Sequence, residues 1–287
     1  MTALATGFPS AGGGNFVYNR VPRVTVDFWL VKLLAVTVGE TAADFLSDTL
    51  GLGLSTTSWI MSGLLIAALV LQFAQRKYVP AIYWVAVVLV SVVGTLISDN
   101  LVDNLGVGLE TTTIAFSLAL AATFIVWFSV ERTLSIHTIY TTRRETFYWL
   151  AILFTFALGT SAGDLAAEGL GLGYLEAGLM YGALIGVIAV AYYGLKMDGI
   201  LAFWLAYILT RPLGASFGDL LSQSPADGGL GFGTVVTSAL FLAGIAGTII
   251  YMTLSHDGAE GTVAVPTEGG STPAEDDGAV PEPASDA

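Results

Sequence analysis

The sequence contains no cysteine, few charged residues and only two histidines. Charged residues make up 11% of the 287 residues, against about 25% in a typical soluble domain. The lack of cysteine excludes disulfides, thiolate metal sites and cysteine nucleophiles. Lys and Arg total 10 against 23 Asp and Glu, and no basic patch is present, so a nucleic-acid partner is not expected. His137 and His256 fall in a predicted loop and in the C-terminal tail, where both are expected to be solvated.

Long runs of apolar residues make up most of the sequence. Hydrophobic residues make up 54% of the chain, and its mean hydropathy is +0.75. Runs of about 20 apolar residues recur, which is the length needed to cross a hydrocarbon core of ~30 Å. The chain is therefore predicted to be an all-α, polytopic membrane bundle with about eight transmembrane helices. The predicted helices cover 24–47, 58–75, 81–101, 111–130, 146–167, 174–194, 199–222 and 233–254.

Basic residues mark one side of the predicted bundle. They precede the first helix and follow the second, fourth and sixth, whereas the loops after the odd-numbered helices contain no Lys or Arg. Cytoplasmic loops of membrane proteins are enriched in these residues. The pattern predicts a multi-pass protein of a prokaryotic plasma membrane with both termini in the cytoplasm. The residues are Arg20, Arg23, Arg76, Lys77, Arg132, Arg143, Arg144 and Lys196.

The two ends of the chain differ from its body. Residues 256–287 contain eight acidic residues and no Lys or Arg, in a background of Gly, Pro, Ala and Ser. Such a segment cannot bury enough apolar surface to fold. We predict a disordered N-terminal segment over 1–22, a transmembrane domain over 23–255 and a disordered acidic tail over 256–287.

The transmembrane domain contains a fourfold internal repeat. Each copy has an aromatic residue followed by Trp, a Gly ten residues after the Trp, and an Asp five residues after the Gly. The copies span about 23–77, 78–137, 143–197 and 198–255. Because each begins on the same side of the membrane, they are predicted to be parallel repeats.

The Trp residues are expected at the membrane interface. A Gly-x-Gly after each Asp is expected to end the odd helix in a tight turn. The four Gly and Asp pairs are Gly39 and Asp44, Gly94 and Asp99, Gly159 and Asp164, and Gly214 and Asp219.

Carboxylates recur on one face of the odd helices. Positions one, five and nine residues after each repeat Gly share that face, because residues four apart stack on a helix. A charge inside a bilayer costs at least ~2.5–3.5 kcal/mol, so such residues normally face a protein interior or a wet cavity. The deeper set, predicted to be an ion pathway, comprises Glu40, Asp44, Asp99, Asp164 and Asp219. The set nearer the rim, where solvation is an equal alternative, comprises Asp48, Asp103 and Glu168. Hydrogen bonding between helices is the structural alternative for the deeper set.

These oxygen ligands suit hard cations. Ca²⁺, Mg²⁺, Mn²⁺ and Na⁺ are all compatible with them, and no resident cofactor is predicted. Crowded carboxylates can hold protons when no cation is bound, which would make exchange of a cation for protons natural. Glu40 stands where the other copies have Thr or Ala, so it is the best candidate for the proton-coupling group. Oligomeric state is left open.

Two basic residues lie inside the predicted helices. Lys32 falls two turns before Glu40 on the same face, where it either pairs with a carboxylate or extends to the membrane interface. Arg211 lies deeper in the seventh helix and precedes Pro212, which kinks a helix and frees a carbonyl. Arg211 is expected to pair with a carboxylate of another repeat, and it could act as a counter-charge that a transported cation displaces.

The chain resembles a family of uncharacterised prokaryotic "membrane-anchored" polytopic proteins with repeated G-x4-D motifs. The resemblance covers roughly 20–255 and rests on these segments: GETAADFLSDTLGLG at 39–53, VGTLISDNLVDNLGVG at 93–108, WLAILFTFALGTSAGDLAAEGLGLG at 149–173 and YILTRPLGASFGDLLSQ at 207–223. It implies a membrane protein with several spans and supplies no activity or substrate.

Three functions fit the sequence. The first is a transporter or exchanger of a small inorganic cation, coupled to protons, with the acidic columns as its pathway. The second is a non-catalytic membrane scaffold or assembly protein. The third is a metal-dependent intramembrane enzyme of the prenyltransferase type, because Asp99 and Asp103 resemble an Asp-rich, Mg²⁺-binding motif. No Lys/Arg cluster near this motif could neutralise a diphosphate, so the sequence favours a role other than catalysis.

Overall fold

The described residues of the computed structural model, 16–254 and 265–266, form an all-α structure, as predicted. Their eight α-helices begin and end within a few residues of the predicted bounds. The helices are α1 Val26–Asp44, α2 Leu54–Ala74, α3 Pro80–Asp99, α4 Leu109–Glu131, α5 Thr142–Asp164, α6 Tyr174–Leu195, α7 Gly199–Ser222 and α8 Gly233–Leu254.

The odd-numbered helices form a closed ring at the centre. Helix α1 packs against α3, α3 against α5, α5 against α7, and α7 against α1. Each even-numbered helix packs mainly on the odd helix that follows it, and α8 packs on α1 to complete the circle. More than half of the residues in the apolar parts of α3, α5 and α7 are buried, against 17–22% in the even helices. The odd helices are therefore inside the bundle and the even helices outside.

Seven of the eight helices are long and apolar enough to cross a membrane. Helix α1 is long enough but less apolar than the other seven, because it contains Asp27, Lys32, Glu40 and Asp44. It is nevertheless central, since it packs against α3, α7 and α8. Two of its charged residues, Lys32 and Glu40, are buried inside the bundle, where protein groups surround them.

A helical irregularity ends three of the four odd helices. Helices α1, α3 and α5 each continue into one π-helical turn, Phe45–Thr49, Asn100–Asn104 and Leu165–Gly169 respectively. The Gly-x-Gly pair then turns the chain, with Gly51 at φ +68° and Gly53 at φ +75°, a conformation that Gly adopts readily. In the fourth repeat α7 ends without a π turn, and a 3₁₀ turn at Pro225–Asp227 follows. In this repeat the Gly-x-Gly pair, Gly231 and Gly233, follows its Asp at a longer spacing than in the other three copies.

The repeat Gly residues allow neighbouring odd helices to approach closely. Each faces the residue that stands three positions before the repeat Gly of the next odd helix. A Cβ on Gly94 would lie 2.7 Å from the Cβ of Phe156, closer than packed carbons tolerate. The same relationship occurs four times around the ring: Gly39 with Ser91, Gly94 with Phe156, Gly159 with Arg211, and Gly214 with Val36.

The prediction of disorder over 1–22 is wrong for its last residues. Asn19 and Val21 are buried. The Asn19 side-chain amide donates to the carbonyl of Ile136 at 3.0 Å, and its carbonyl accepts from the Ile139 N–H at 3.0 Å. One Asn side chain therefore pairs with both a carbonyl and an N–H of the α4–α5 connection, which fixes the segment. Residues 1–15 lie outside the described part of the chain.

A separate unit contains the remaining described residues of the two ends. Phe16–Val17 and Val265–Pro266 form an antiparallel pair of two-residue strands. The rest of the predicted acidic tail, 256–264 and 267–287, lies outside the described residues.

Three of the four repeat Trp residues, which are predicted at the membrane interface, have their side chains inside the protein. Trp84, Trp149 and Trp204 are buried. Trp84 donates its indole N–H to the Tyr78 hydroxyl at 3.1 Å, and Trp204 donates to the Leu134 carbonyl at 2.9 Å. Because the odd helices are central, residues at this level of the bundle contact other repeats and loops instead of lipid.

Candidate functional site

The bundle has two chemically different ends. At the acidic end, where the odd helices finish, the three levels of predicted carboxylates occur. At the basic end, where the odd helices begin, lie the Lys and Arg residues of the connecting segments.

A cavity of about 170 Å³ opens at the acidic end. All eight carboxylates predicted from the sequence line it, and so the ring of odd helices brings both predicted sets together. No Lys or Arg is among the residues that line it within the described chain. The lining carboxylates are Glu40, Asp44, Asp48, Asp99, Asp103, Asp164, Glu168 and Asp219.

The levels of the cavity differ in burial. Asp48, Asp103 and Glu168 are exposed at the rim, which agrees with their predicted position there. Asp44, Asp99 and Asp164 are half-buried below them, and Asp219 is 7% exposed. Glu40 is buried at the floor. Solvent exposure therefore falls steadily along the predicted pathway.

The deep aspartates have almost no protein partners. Asp44 accepts one hydrogen bond from the side-chain amide of Gln223 at 3.4 Å. Within the described residues, the carboxylates of Asp99, Asp164 and Asp219 accept none and form no ion pair. A buried carboxylate without a protein partner is costly, so water, protons or a cation would have to satisfy the carboxylates at this level.

Three carboxylates come close enough to share an ion. Glu40, Asp164 and Asp219 each place one oxygen within 4.8 Å of the others. Two ligands on opposite sides of a Ca²⁺ ion, at 2.3–2.6 Å each, would be about 5 Å apart. The three residues come from α1, α5 and α7, so this constellation exists only because the repeats form a ring.

Arg211 closes the floor of the cavity. Its guanidinium lies 2.8 Å from a Glu40 oxygen and donates to the Thr160 hydroxyl at 2.6 Å. It also donates to the Thr95 hydroxyl, and to the Val36 carbonyl at 3.3 Å. The predicted pairing of Arg211 with a carboxylate of another repeat is thus present in the structure.

Lys32 lies deeper still, and the expected pairing with a carboxylate is absent within the described chain. Its ammonium donates to the Tyr207 carbonyl at 2.8 Å and lies 3.8 Å from the centre of the Tyr207 ring. The side chain is 1% exposed, so it does not extend to the interface either. Glu40 is two helical turns away, about 12 Å along α1, and Arg211 already pairs with it.

Below Lys32 the basic half of the bundle is packed with aromatic side chains. Tyr83 and Tyr148 share a hydrogen bond between their hydroxyls, 2.5 Å apart. Phe28 and Phe203 occupy the equivalent positions in the other two repeats, with ring centres 6.1 Å apart. This layer separates the acidic cavity from the basic end.

Two polar networks in the structure could not be predicted from the sequence. Asn100 donates to the Ser58 hydroxyl at 2.7 Å and so ties the π turn after α3 to α2. At the basic end Arg20 pairs with the buried Glu145 at 2.6 Å, and Gln72 donates to the same carboxylate at 2.9 Å. Repeat spacing could not reveal either, because neither set recurs in the other copies.

A larger groove of about 850 Å³ lies near the basic end, between α1, α6 and α7. Its lining is mainly apolar and contains none of the predicted site residues. His137 lies exposed at its edge, as expected for a solvated histidine. Neighbouring protein groups partly desolvate the imidazole even so, and this desolvation, together with the charge of Arg23, lowers the pKa of His137. The groove is larger than the acidic cavity, but the concentration of charge is in the cavity.

Fold and site together define a polytopic helical membrane protein built from four internal repeats around an acidic cavity. The chain belongs to the family described as Repeat of Unknown Function (DUF347), whose model matches residues 28–78, 82–133, 147–197 and 202–257. Each matched segment covers most of one odd helix and the even helix that follows it. No curated protein and no solved structure matched the chain.

Proposed function

We propose that the protein transports a small inorganic cation across the membrane, in exchange for protons, through the acidic cavity. The observation that carries the proposal is the convergence of four equivalent aspartates and Glu40 on one cavity. Among the described residues only Arg211 forms an ion pair with any of them. Such a concentration of unpaired carboxylates inside a bundle favours cation binding.

The ligand geometry favours a divalent cation. Glu40, Asp164 and Asp219 supply oxygen ligands only, which Ca²⁺, Mg²⁺ and Mn²⁺ prefer. Na⁺ is the monovalent alternative. A divalent ion neutralises two carboxylates at once, and so competes better than a monovalent ion with the protons that crowded carboxylates retain.

Proton exchange follows from the same crowding. When the cation leaves, the aspartates cannot all remain charged at such short separations without a counter-ion. Protons entering from the acidic end would replace the cation. Glu40 is the group best placed to couple the two, because it is shared between the cavity and the Arg211 guanidinium.

The direction of transport depends on topology. The basic residues around the starts of the odd helices support cytoplasmic termini, in the plasma membrane of a prokaryote. The acidic cavity would then open to the outside.

A membrane scaffold with a structural cation is the second candidate. It is favoured by the packing beneath the cavity, where Arg211, Lys32 and the aromatic layer separate the cavity from the basic end. An intramembrane prenyltransferase is less consistent with the site. Asp99 and Asp103 do line the cavity, but no Lys or Arg of the described chain lines it to hold a diphosphate.

Flux into proteoliposomes distinguishes these functions. Purified protein would be reconstituted with an internal pH dye, and Mn²⁺, Ca²⁺, Mg²⁺ and Na⁺ would be added outside in turn. We expect uptake of at least one divalent ion together with proton release. The matched control is Asp164→Asn with Asp219→Asn, which should abolish both signals while the protein remains folded. Binding without flux, lost in the same double variant, would favour the scaffold.

A further inference from the structure

The Arg211 guanidinium lies where all four odd helices meet. Arg211 belongs to α7, and its partners come from the other three: Glu40 and the Val36 carbonyl from α1, Thr95 from α3 and Thr160 from α5. Arg211 is 1% exposed, and Thr95 and Thr160 are fully buried. A single cationic group is thus surrounded by oxygen atoms from every neighbour in the ring.

Sequence differences between the repeats create the space for this group. One residue after the repeat Gly, the first three copies have Glu40, Thr95 and Thr160, whereas the fourth has Ala215. Ala215 offers no oxygen, and Arg211 reaches this level from one turn earlier on the same helix. Gly159 lies against the Arg211 side chain, and any larger residue there would displace it. The three oxygen-bearing side chains therefore form an incomplete ring that the Arg211 guanidinium fills.

We infer that this level is a cation-binding position, of a size suited to a small monovalent cation such as guanidinium, which the chain occupies with its own Arg211. The occupied position closes the floor of the acidic cavity. A transported cation would reach the basic half only after Arg211 leaves Glu40, and this last step rests on the proposed function.

The residues below Arg211 strengthen the barrier. The Phe156 ring lies 5.5 Å from the guanidinium carbon and 5.9 Å from the Lys32 ammonium. A cation that passed Arg211 would next meet this ring and a second fixed positive charge. Repulsion between like charges is strong where water is excluded.

Chemical rescue tests the binding position. Arg211→Ala removes the guanidinium and leaves the oxygen atoms of Glu40, Thr95 and Thr160 around the space. We expect the purified variant to unfold at a lower temperature than the wild type. Guanidinium or methylguanidinium at low millimolar concentration should restore part of the difference, far below the molar range in which guanidinium denatures. The wild type should show no such gain.

The matched control removes the carboxylate as well. Arg211→Ala with Glu40→Gln keeps the space but lacks the negative charge, so the gain with guanidinium should disappear. A folded Arg211→Ala protein that gains nothing from guanidinium, or that gains equally with Glu40→Gln, would overturn the inference.

Cysteine accessibility tests the barrier with Arg211 in place, and so does not depend on how well Arg211→Ala folds. The chain has no native cysteine, so any labelling of a single-cysteine variant comes from the introduced residue. Asp99→Cys lies in the cavity, and Val87→Cys occupies the position in α3 equivalent to Lys32 in α1. A small cationic methanethiosulfonate reagent should label Asp99→Cys and leave Val87→Cys unlabelled. Equal labelling of both from the acidic end would overturn the closed floor.

The two measurements separate this inference from the proposed function. Guanidinium rescue and unequal labelling, in a protein that shows no ion flux, would support the self-occupied position and contradict transport. Ion flux through the wild type, with no guanidinium rescue and equal labelling of the two cysteines, would support transport and contradict the self-occupied position.

Discussion

Gly214, in the last repeat, lies against Val36 in the first, as Gly39 lies against Ser91, Gly94 against Phe156 and Gly159 against Arg211. This contact closes the ring of odd helices between the two ends of the transmembrane chain. The packing of α8 on α1 closes the outer layer at the same place. Since the cavity is lined from all four odd helices, its geometry depends on these Gly contacts.

Gly214→Ala should therefore destabilise the bundle. The added Cβ would clash with the Val36 side chain, and overpacking in a well-packed core costs about 1–3 kcal/mol. Thermal unfolding of purified protein in detergent would measure the loss. We also expect weaker cation binding, because α1 and α7 supply Glu40 and Asp219.

Gly186→Ala is the matched control for that substitution. Gly186 is inside α6, and an added Cβ there would contact nothing within 4 Å. This variant should be as stable as the wild type or slightly more stable, since Ala favours helix over Gly. If Gly214→Ala unfolded at the same temperature as Gly186→Ala, the closing contact would not be a determinant of stability.

Periodicity and repeat spacing were sufficient to predict much of the fold. Apolar runs predict the eight helices within a few residues, and the positions after each repeat Gly place Asp44, Asp99 and Asp164 on one face. These predictions succeed because the repeats are related by symmetry. Four similar units that cross in the same direction can all satisfy the same contacts only in a ring.

Features that break the symmetry could not be predicted in the same way. Lys32 was expected to pair or to reach the interface, yet it binds the Tyr207 carbonyl and ring. Its partner is 175 residues away in the chain, and a contact over such a sequence separation cannot be predicted from local residue patterns. Trp84 is expected at the membrane interface, and repeat spacing alone could not show that its side chain is buried against other parts of the protein.

Removal of one deep carboxylate should weaken cation binding more than removal of an outer charge. Asp219→Asn takes a charge from the three-carboxylate group, and we expect at least a tenfold loss of affinity, equal to about 1.4 kcal/mol. Calorimetric titration of Mn²⁺ or Ca²⁺ into the purified protein would measure it.

Glu110→Gln provides the comparison for Asp219→Asn. Glu110 is an exposed residue in the first turn of α4 at the same end, and it does not line the cavity. Its removal should change affinity by less than twofold. Equal losses in the two variants would indicate general attraction to the acidic end instead of a defined site.

The ion pair between Arg20 and Glu145 at the basic end should stabilise the fold without changing the affinity of the acidic cavity for cations. Arg20→Ala leaves the fully buried Glu145 with Gln72 as its remaining side-chain partner, and loss of one partner of a buried pair costs about 3–5 kcal/mol. Lys77→Ala, an exposed residue nearby in the α2–α3 connection, should cost almost nothing. Cation affinity of folded Arg20→Ala protein should equal that of the wild type, and a large change would mean that the two ends are coupled.

Glu40→Gln tests the floor of the cavity and the coupling to protons together. The substitution leaves the Arg211 charge buried with only neutral oxygen partners, so we expect a loss of about 3–5 kcal/mol in stability. Adding Arg211→Met removes the stranded charge and keeps an apolar side chain of similar length. The double variant should therefore be more stable than Glu40→Gln alone, which thermal unfolding would show.

The same two variants separate stability from mechanism. If Glu40 exchanges protons with the transported cation, flux through Glu40→Gln should lose its dependence on pH while Asp164 and Asp219 still bind the ion. Restoring stability with Arg211→Met should not restore that dependence, because the proton-carrying carboxylate is still missing. Proteoliposomes with an internal pH dye would report both signals. Unchanged flux and unchanged proton release in folded Glu40→Gln protein would contradict the exchange mechanism, and the acidic columns would then be left with a structural role.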